Sequence, residues 1–412
     1  MNMRQAEEYL LDLELFGMRF GLDRMHKLMT ALGMPQRRFA SIHVVGTNGK
    51  SSTVRFIAGI LQRHGLRTGS YTSPHLVSFT ERIEVQEEPV SGGDFAAAVT
   101  RAAHAADLVN RTQEEGDTVT QFEALTAAAY HELARRGVEV AVIEAGLGGR
   151  YDATNVIPSK VQVLTGVGLE HTRWLGPTIK DIAEEKLAVV HDHGILVTGD
   201  LHPDAEGVAE RAAAEQHATR VYPGPVPGYE LAAHGTFQRA NFALARAAAE
   251  AFLGQALDEQ AVRRAAAEVR VPGRMQVVAE RPLTVLDGAH NPAGAEAVAQ
   301  ALPELFDGRR AVGVIGVLDD KDAAGMLRAL LPLFQHVVFT RSSNPRSLSP
   351  GTLESLASKL SGPPSETVAD PQAALMRAQE LAAEDGAVLV TGSIYLIADL
   401  VRVERSARAS TL

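Results

Sequence analysis

An α/β fold with a mainly parallel sheet, divided into two units, is the architecture the sequence predicts. Three observations carry that expectation. Short β-branched runs alternate with Ala-rich helical stretches, the pattern of strands joined by helical crossovers. A second βαβα series begins just after Val271-Pro272-Gly273-Arg274. The 412 residues also exceed what one core usually supports.

The predicted strands run in order through 42–45, 138–143 and 161–164, then 283–286, 311–317, 337–340 and 387–391. Helices are expected over 52–63, 122–136 and 371–383. The stretch 223–228, Pro-Gly-Pro-Val-Pro-Gly, reads as a surface loop, because the helical pattern over 241–253 belongs with the first unit. A boundary at 274 gives units of 1–274 and 275–412, both ordinary domain sizes.

Composition narrows the chemistry. The chain is 45% hydrophobic and 22% charged, an ordinary globular balance. A formal charge of −10 and a pI of about 5.8 argue against a general nucleic-acid surface. Any anionic ligand must be held locally, by placed Lys, Arg and backbone N–H groups. There is no cysteine, so disulfides, thiolate nucleophiles and Cys-ligated metals are excluded. Residues 1–15 mix acids with leucines and lack a basic-then-apolar export pattern. No stretch has the uninterrupted apolar length of a membrane span. The expectation is a cytoplasmic protein without nucleic-acid or membrane partners.

The run 42–45 leads into Gly46-Thr47-Asn48-Gly49-Lys50-Ser51-Ser52 and then a helical pattern. Strand, glycine-rich loop and helix in register are what phosphate binding requires. The glycines let backbone N–H groups approach, and the helix N-terminus favours the anion. Lys50 would meet the β- and γ-phosphates, and Ser51 or Ser52 could face Mg²⁺. Val44 stands where the full Walker pattern has glycine, so the loop is a shorter variant.

Glu144 closes the next predicted strand, before Ala145-Gly146-Leu147-Gly148-Gly149-Arg150. It is either a Mg²⁺ ligand beside the phosphate loop or an edge carboxylate paired with Arg150. The bare Gly-Leu-Gly-Gly backbone favours the first, since it suits close approach to a ligand. His171, in Gly168-Leu169-Glu170-His171, reads alone as a capping or core residue. Lys186 reads alone as a solvated helical lysine.

Taken in order, a set of motifs resembles the folylpolyglutamate synthase/dihydrofolate synthase family of the Mur ligase superfamily, in its bacterial bifunctional type. The set comprises Leu22-Asp23-Arg24, His43-Val44-Val45-Gly46-Thr47-Asn48-Gly49-Lys50, Thr72-Ser73-Pro74-His75-Leu76, Phe122-Glu123 and Gly146 through Asn155. It continues with Leu175-Gly176, Glu185-Lys186, Pro272-Gly273-Arg274, Asp287-Gly288-Ala289-His290-Asn291-Pro292, Asp320-Lys321-Asp322 and Val390 through Leu396.

The resemblance implies a P-loop ATPase domain followed by a smaller Rossmann-like C-terminal domain, with the active site in the cleft. It also implies an ATP-dependent ligase that adds L-glutamate to dihydropteroate or to folates such as tetrahydrofolate through an acyl phosphate, working as a monomer. By that analogy Ser73, Glu144 and His171 bind Mg²⁺, of which two ions are expected, and Lys186 is carbamylated to become a further metal ligand. Thr47, Asn48, Gly49, Lys50, Asn241, Arg274 and Asp287 contact ATP. Phe122, Glu123, Tyr151, Asp152 and Ala153 lie along the pterin site. Asp287, His290 and Ser393 face the incoming glutamate, and Lys50, Lys186, Asp287 and His290 form the catalytic set.

Four features depart from the family pattern. Ser51 replaces the glycine usual after the P-loop lysine, Glu170 the Asp before the histidine, and Phe237 a His before Gln238. Leu187-Ala188-Val189 stands in place of Ala-Gly-Ile after Lys186. A cell-wall Mur ligase would carry a domain for its UDP-sugar before the P-loop, yet only 45 residues precede Gly46. A regulatory GTPase would carry an Asn-Lys-x-Asp motif, which this sequence lacks.

Overall fold

A computed structural model of the chain describes residues 1–13, 21–114, 116–226 and 228–402. The first sheet contains β1 (Ala40–Val45), β2 (Thr68–Tyr71), β3 (Ile83–Val85), β4 (Glu88–Pro89), β5 (Val140–Glu144), β6 (Val161–Leu164), β7 (Ile195–Thr198) and β8 (Thr219–Val221). Their order is β4-β3-β2-β5-β1-β6-β7-β8, parallel except at β2–β3 and β3–β4. The second sheet contains β9 (Gln276–Glu280), β10 (Leu283–Leu286), β11 (Ala311–Ile315), β12 (His336–Phe339), β13 (Ser365–Thr367) and β14 (Ala387–Thr391). Its order is β13-β12-β11-β14-β10-β9, with only β9–β10 antiparallel.

β1 sits at the centre because Ser41 to Val45 are all buried, the continuous burial of a parallel strand covered on both faces. On one face the helices Lys50–Arg63 and Thr236–Leu253 pack Phe56, Ile57, Ile60, Phe242 and Ala245 against Ile42, Val44 and Val142. Phe56 and Phe242 meet edge-to-face at 5.2 Å, a geometry contributing about 1 kcal/mol beyond area burial. The expected helix over 241–253 thus begins at Thr236 and does pack on the first sheet. The opposite face is closed by Tyr71, Phe95, Leu125, Tyr130 and Ile143. No helix or strand occupies the described residues of the expected loop 223–228, whose Pro227 lies outside the described set, as do Glu14 and Leu15 of the segment 1–15.

The two sheets share apolar contacts. Leu76, from the first unit, joins the cluster of Leu286, Val312 and Leu396, and Phe237 packs against the core containing Met275, Val285 and Phe306. Among the described residues, no helix is long and apolar enough to cross a membrane.

Two polar residues, Ser41 and His43, are buried in β1. His43 is fully buried, and its Nε2 pairs with Thr154 Oγ1 at 2.8 Å. Burial, with a smaller push from His191, drives its pKa down to about 3. The unfolded chain therefore binds a proton that the folded chain refuses between the ordinary histidine value of about 6.5 and about 3. The contribution to stability is complete above that upper limit and is lost as pH falls through the window. His43→Gln should retain about 2 kcal/mol more of its stability than the wild type between pH 7 and pH 5, as measured by urea denaturation at both values.

Candidate active site

The C-terminal ends of three adjacent strands, β5, β1 and β6, carry most of the expected residues of the first unit, and those of β10, β14 and β11 carry the expected residues of the second. This is where parallel sheets bind ligands, at the point where strand order reverses. β1 ends at Val45, and the backbone turns through Gly46 (φ +150°) and Gly49 (φ +83°) into the helix Lys50–Arg63. A Cβ at Gly46 would lie 2.0 Å from Thr165 Oγ1, and one at Gly49 would lie 2.4 Å from Asn241 Oδ1. Only glycine fits either place. Thr165 Oγ1 also donates to the Asn48 carbonyl at 2.6 Å, and Asn241, buried, donates to Gln238 at 3.0 Å.

Two lysines converge here. Lys50 Nζ donates to the carbonyls of Gly46 at 3.0 Å and Thr47 at 3.2 Å. Lys186 Nζ, buried, donates to the same Gly46 oxygen at 2.9 Å. Burial and the neighbouring Lys50 charge push the Lys186 amine down to about 7, against the opposing pull of Glu170 and Asp152. Lys186 is therefore not the solvated helical lysine its local sequence suggested.

Glu144 ends β5 and is buried. Its Oε1 accepts from the Ser51 hydroxyl at 3.0 Å and its Oε2 from the Ser73 amide at 3.3 Å. Burial raises its pKa, while Lys50, Ser51, Ser73 and Arg274 oppose that rise. Arg150 pairs instead with Glu185 at 3.0 Å, so Glu144 is not its edge partner. The following loop is held from below. A Cβ on Gly146 would meet the Phe122 ring at 2.6 Å, and one on Gly149 the carbonyls of Lys186 and Glu185 at 2.6 and 2.7 Å. Asp152 Oδ2 accepts the Leu147 amide at 2.7 Å, and its Oδ1 accepts from the Thr154 amide at 3.0 Å and from the Thr154 hydroxyl. Ala153 is buried beside it, whereas Tyr151 is exposed.

Two polar fasteners join the units. Asn48 and Asn291 exchange hydrogen bonds, Nδ2 to Oδ1, at 3.2 and 3.0 Å. Asn291 also caps the helix Pro292–Phe306 through Gly294 N. Glu170 Oε1 lies 3.1 Å from both Lys321 Nζ and His290 Nε2, and 3.8 Å from His171 Nε2. Burial pushes the Glu170 carboxyl up, but the hydrogen bond from His290 and the charges of Lys321 and His171 outweigh it and hold the group well below the carboxylate range. Desolvation, with Lys321 and Lys50 nearby, moves His171 down to about 4.

On the second unit, both Asp287 oxygens are engaged by backbone amides, Oδ2 by Met275 at 2.9 Å and Oδ1 by Ala289 at 2.7 Å. The carboxylate, raised by burial against the pull of Arg274, thus shapes its own loop. His290 Nδ1 faces the Gly288 carbonyl at 2.9 Å. Ser393 is buried and caps the helix Ile394–Val401 through Tyr395 N.

The two units meet beside the loop at the Asn48–Asn291 pair and where Glu170 faces His290 and Lys321. Glu123 stands apart. Its carboxylate is engaged by Arg24, 3.1 Å to each oxygen, and by the Thr120 cap. Sequence reasoning missed Asn291, Lys321 and Thr165 as individual participants. The family motifs contain the first two, but pairings across 243 and 151 residues leave no local signal.

Comparison with known proteins agrees with the two-sheet fold. The profile of the Mur ligase glutamate ligase domain matches residues 273–394. The dihydrofolate synthase/folylpolyglutamate synthase of Mycobacterium tuberculosis is 36% identical over 397 residues, covering 86% of this chain and 82% of that protein. The structure is similar to that of Mycobacterium tuberculosis folylpolyglutamate synthase complexed with ADP, with a TM-score of 0.90, 34% identity and coverage of 98% and 99% of the two chains. It is similar also to E. coli FolC in complex with DHPP and ADP, with a TM-score of 0.87, 29% identity and 97% coverage of each chain. The chain belongs to the folylpolyglutamate synthase/dihydrofolate synthase family.

Proposed function

We propose that the protein is an ATP-dependent ligase that joins L-glutamate to dihydropteroate and extends folylglutamates such as those of tetrahydrofolate, acting in the cytoplasm as a monomer. The observation that carries this reading is the meeting of Lys50, Lys186 and the Glu144–Ser51 pair around the 46–52 loop, with His290 of the second unit held to Glu170. The ADP complexes of both solved relatives support the nucleotide assignment. The monomer reading is supported by a cleft whose two walls come from one chain. In this reading residues 1–274 hold ATP and the acid, and residues 275–412 hold glutamate.

A carboxylate cannot exchange oxide for an amine at neutral pH, so it must first be given a better leaving group. Its oxygen attacks the γ-phosphorus, the bond to ADP breaks, and an acyl phosphate forms. The glutamate amine then attacks the acyl carbon, phosphate leaves, and the amine proton is lost as the amide forms. The protein contributes positioning and charge neutralisation. Two like charges 4 Å apart repel by about 4 kcal/mol at an effective dielectric near 20, so Lys50 has a large repulsion between acid and triphosphate to offset. Arg274 stands at the junction, where it acts on both Glu144 and Asp287. Contact between the units keeps water from the acyl phosphate. Phe122, beneath Gly146, and the Tyr151-Asp152-Ala153 segment would line the pterin side.

The buried carboxylate of Glu144 beside the Ser51 hydroxyl is an oxygen donor pair suited to a hard cation. Glu144, Ser73, His171 and a modified Lys186 would hold Mg²⁺, with Ser51 and Ser52 at the loop. Bound there, Mg²⁺ would supply neutralisation of the triphosphate charge. Lys186 suits carbamylation because the amine, brought down to about 7, is substantially neutral near pH 7. Its lone pair adds to the carbon of CO₂, an N–C bond forms and a proton leaves. Repulsion from Lys50 then becomes attraction.

Three outcomes test the reading. Lys50→Ala should lower ADP release at least about 100-fold, the scale of losing one charge-stabilising donor; near-normal turnover would refute the phosphate-loop role. Lys186→Ala should be inactive yet partly restored by added formate or acetate, and ¹³CO₂ should give the wild type a carbamate carbon resonance that the variant lacks. ADP release should require both a pteroate-type acid and glutamate, with equal turnover lacking the acid indicating a simple ATPase.

A further inference from the structure

A second cluster lies at the opposite end of the first sheet. β7 runs parallel beside β6, and β8 parallel beside β7, so the turns entering them lie at the N-terminal edge, away from the cleft. Those turns are tied together: His193 N donates to the Gln216 carbonyl at 2.8 Å, and Thr219 N to the Gly194 carbonyl at 2.9 Å. His193 (φ +55°) and His217 (φ +48°) both adopt the left-handed backbone. Their rings stack 5.4 Å apart with planes inclined by 29°. Asp192 Oδ1 lies 3.2 Å from His217 Nδ1 and 3.8 Å from His193 Nε2. All three ligand atoms fall within 4.8 Å of one another, and among the described residues this is the one such group of His, Asp and Glu.

We propose that Asp192, His193 and His217 form a surface site for a late first-row divalent cation of the Zn²⁺ class, completed by water. Tetrahedral Zn²⁺ holds its nitrogen and oxygen ligands at 2.0–2.2 Å, which sets neighbouring ligand atoms about 3.3 Å apart. Two of the pairs already stand within about half an ångström of that spacing, and the third needs only rotation of exposed side chains. Two imidazoles and one carboxylate select Zn²⁺, Cu²⁺ or Ni²⁺ over Mg²⁺, which prefers an octahedral set of oxygens. The three side chains are 67–77% exposed, leaving the fourth position open to solvent. The bound ion links the turn before β7 to the turn before the three-residue edge strand β8, so it fastens that edge of the sheet.

The test is calorimetric titration with Zn²⁺ in excess Mg²⁺, which occupies sites built from oxygen. The wild type is compared with His193→Asn/His217→Asn, chosen because Asn tolerates left-handed backbone, and with Asp192→Asn. The wild type should bind one Zn²⁺ that the double variant binds at least about 100-fold more weakly, a loss no smaller than that from removing a group that merely orients a ligand. With Cu²⁺, electron paramagnetic resonance should show coupling to two nitrogens in the wild type that disappears in the double variant. Both variants should keep ligase activity in Mg²⁺, which reports that they are folded. Equal Zn²⁺ affinity in the wild type and double variant, or no nitrogen coupling in the wild type, overturns the site.

Discussion

Two lysine amines share one carbonyl oxygen, that of Gly46, and the surroundings are arranged to make this tolerable. Lys50 is anchored by a second carbonyl of its own loop, that of Thr47, whereas the buried Lys186 amine leans on Gly46. Glu144, Asp152 and Glu170 supply the opposing charge from the segments that follow β5 and β6. Each carboxylate is in turn oriented by a neighbour: Ser51 and Ser73 for Glu144, Leu147 and Thr154 for Asp152, Lys321 and His290 for Glu170. The positive charge that suits the loop to a triphosphate is thus the strain the cleft must contain.

The glycines are the steric counterpart. At Gly46, Gly49, Gly146 and Gly149 the space a side chain would need is already filled, by Thr165, Asn241, the Phe122 ring and the carbonyls before and at Lys186. The bare backbone after β5 therefore serves close packing. Lys186 can reach Gly46 because its helix presses directly against Gly149.

Legibility in the sequence followed burial. The runs that became β6, β10 and β14 were readable to the residue, because fully buried strands are dominated by Val and Leu, with Gln162 and Thr284 as the polar interruptions inside β6 and β10. β5 began two residues later than expected and took in Glu144, since a terminal carboxylate ends the apolar pattern without ending the ladder. β7, Ile-Leu-Val-Thr, went unread despite its apolar run, but several other unread strands are short or polar: β2 is Thr-Gly-Ser-Tyr, β4 is Glu-Pro, and β13 is Ser-Glu-Thr. Pairing rather than propensity makes them strands. At the cleft, Lys50 and Glu144 were readable from their place after a strand, while His171 and Lys186 needed the ordered motif set. The departure at Glu170 was visible as an oddity, but not its reach to Lys321 across 151 residues.

The paired amides of Asn48 and Asn291 are a matched coupling: each gives one N–H to the other's carbonyl oxygen and accepts one in return. Without its partner the Asn48 amide keeps an unmet donor and acceptor in a partly buried seam, and Asn291 keeps only its cap on Gly294 N. Anyone building chimaeras of such ligases would find that a transplanted C-terminal half needs its asparagine to find a waiting mate. The phosphate loop and the far unit are, in this sense, inherited as one piece.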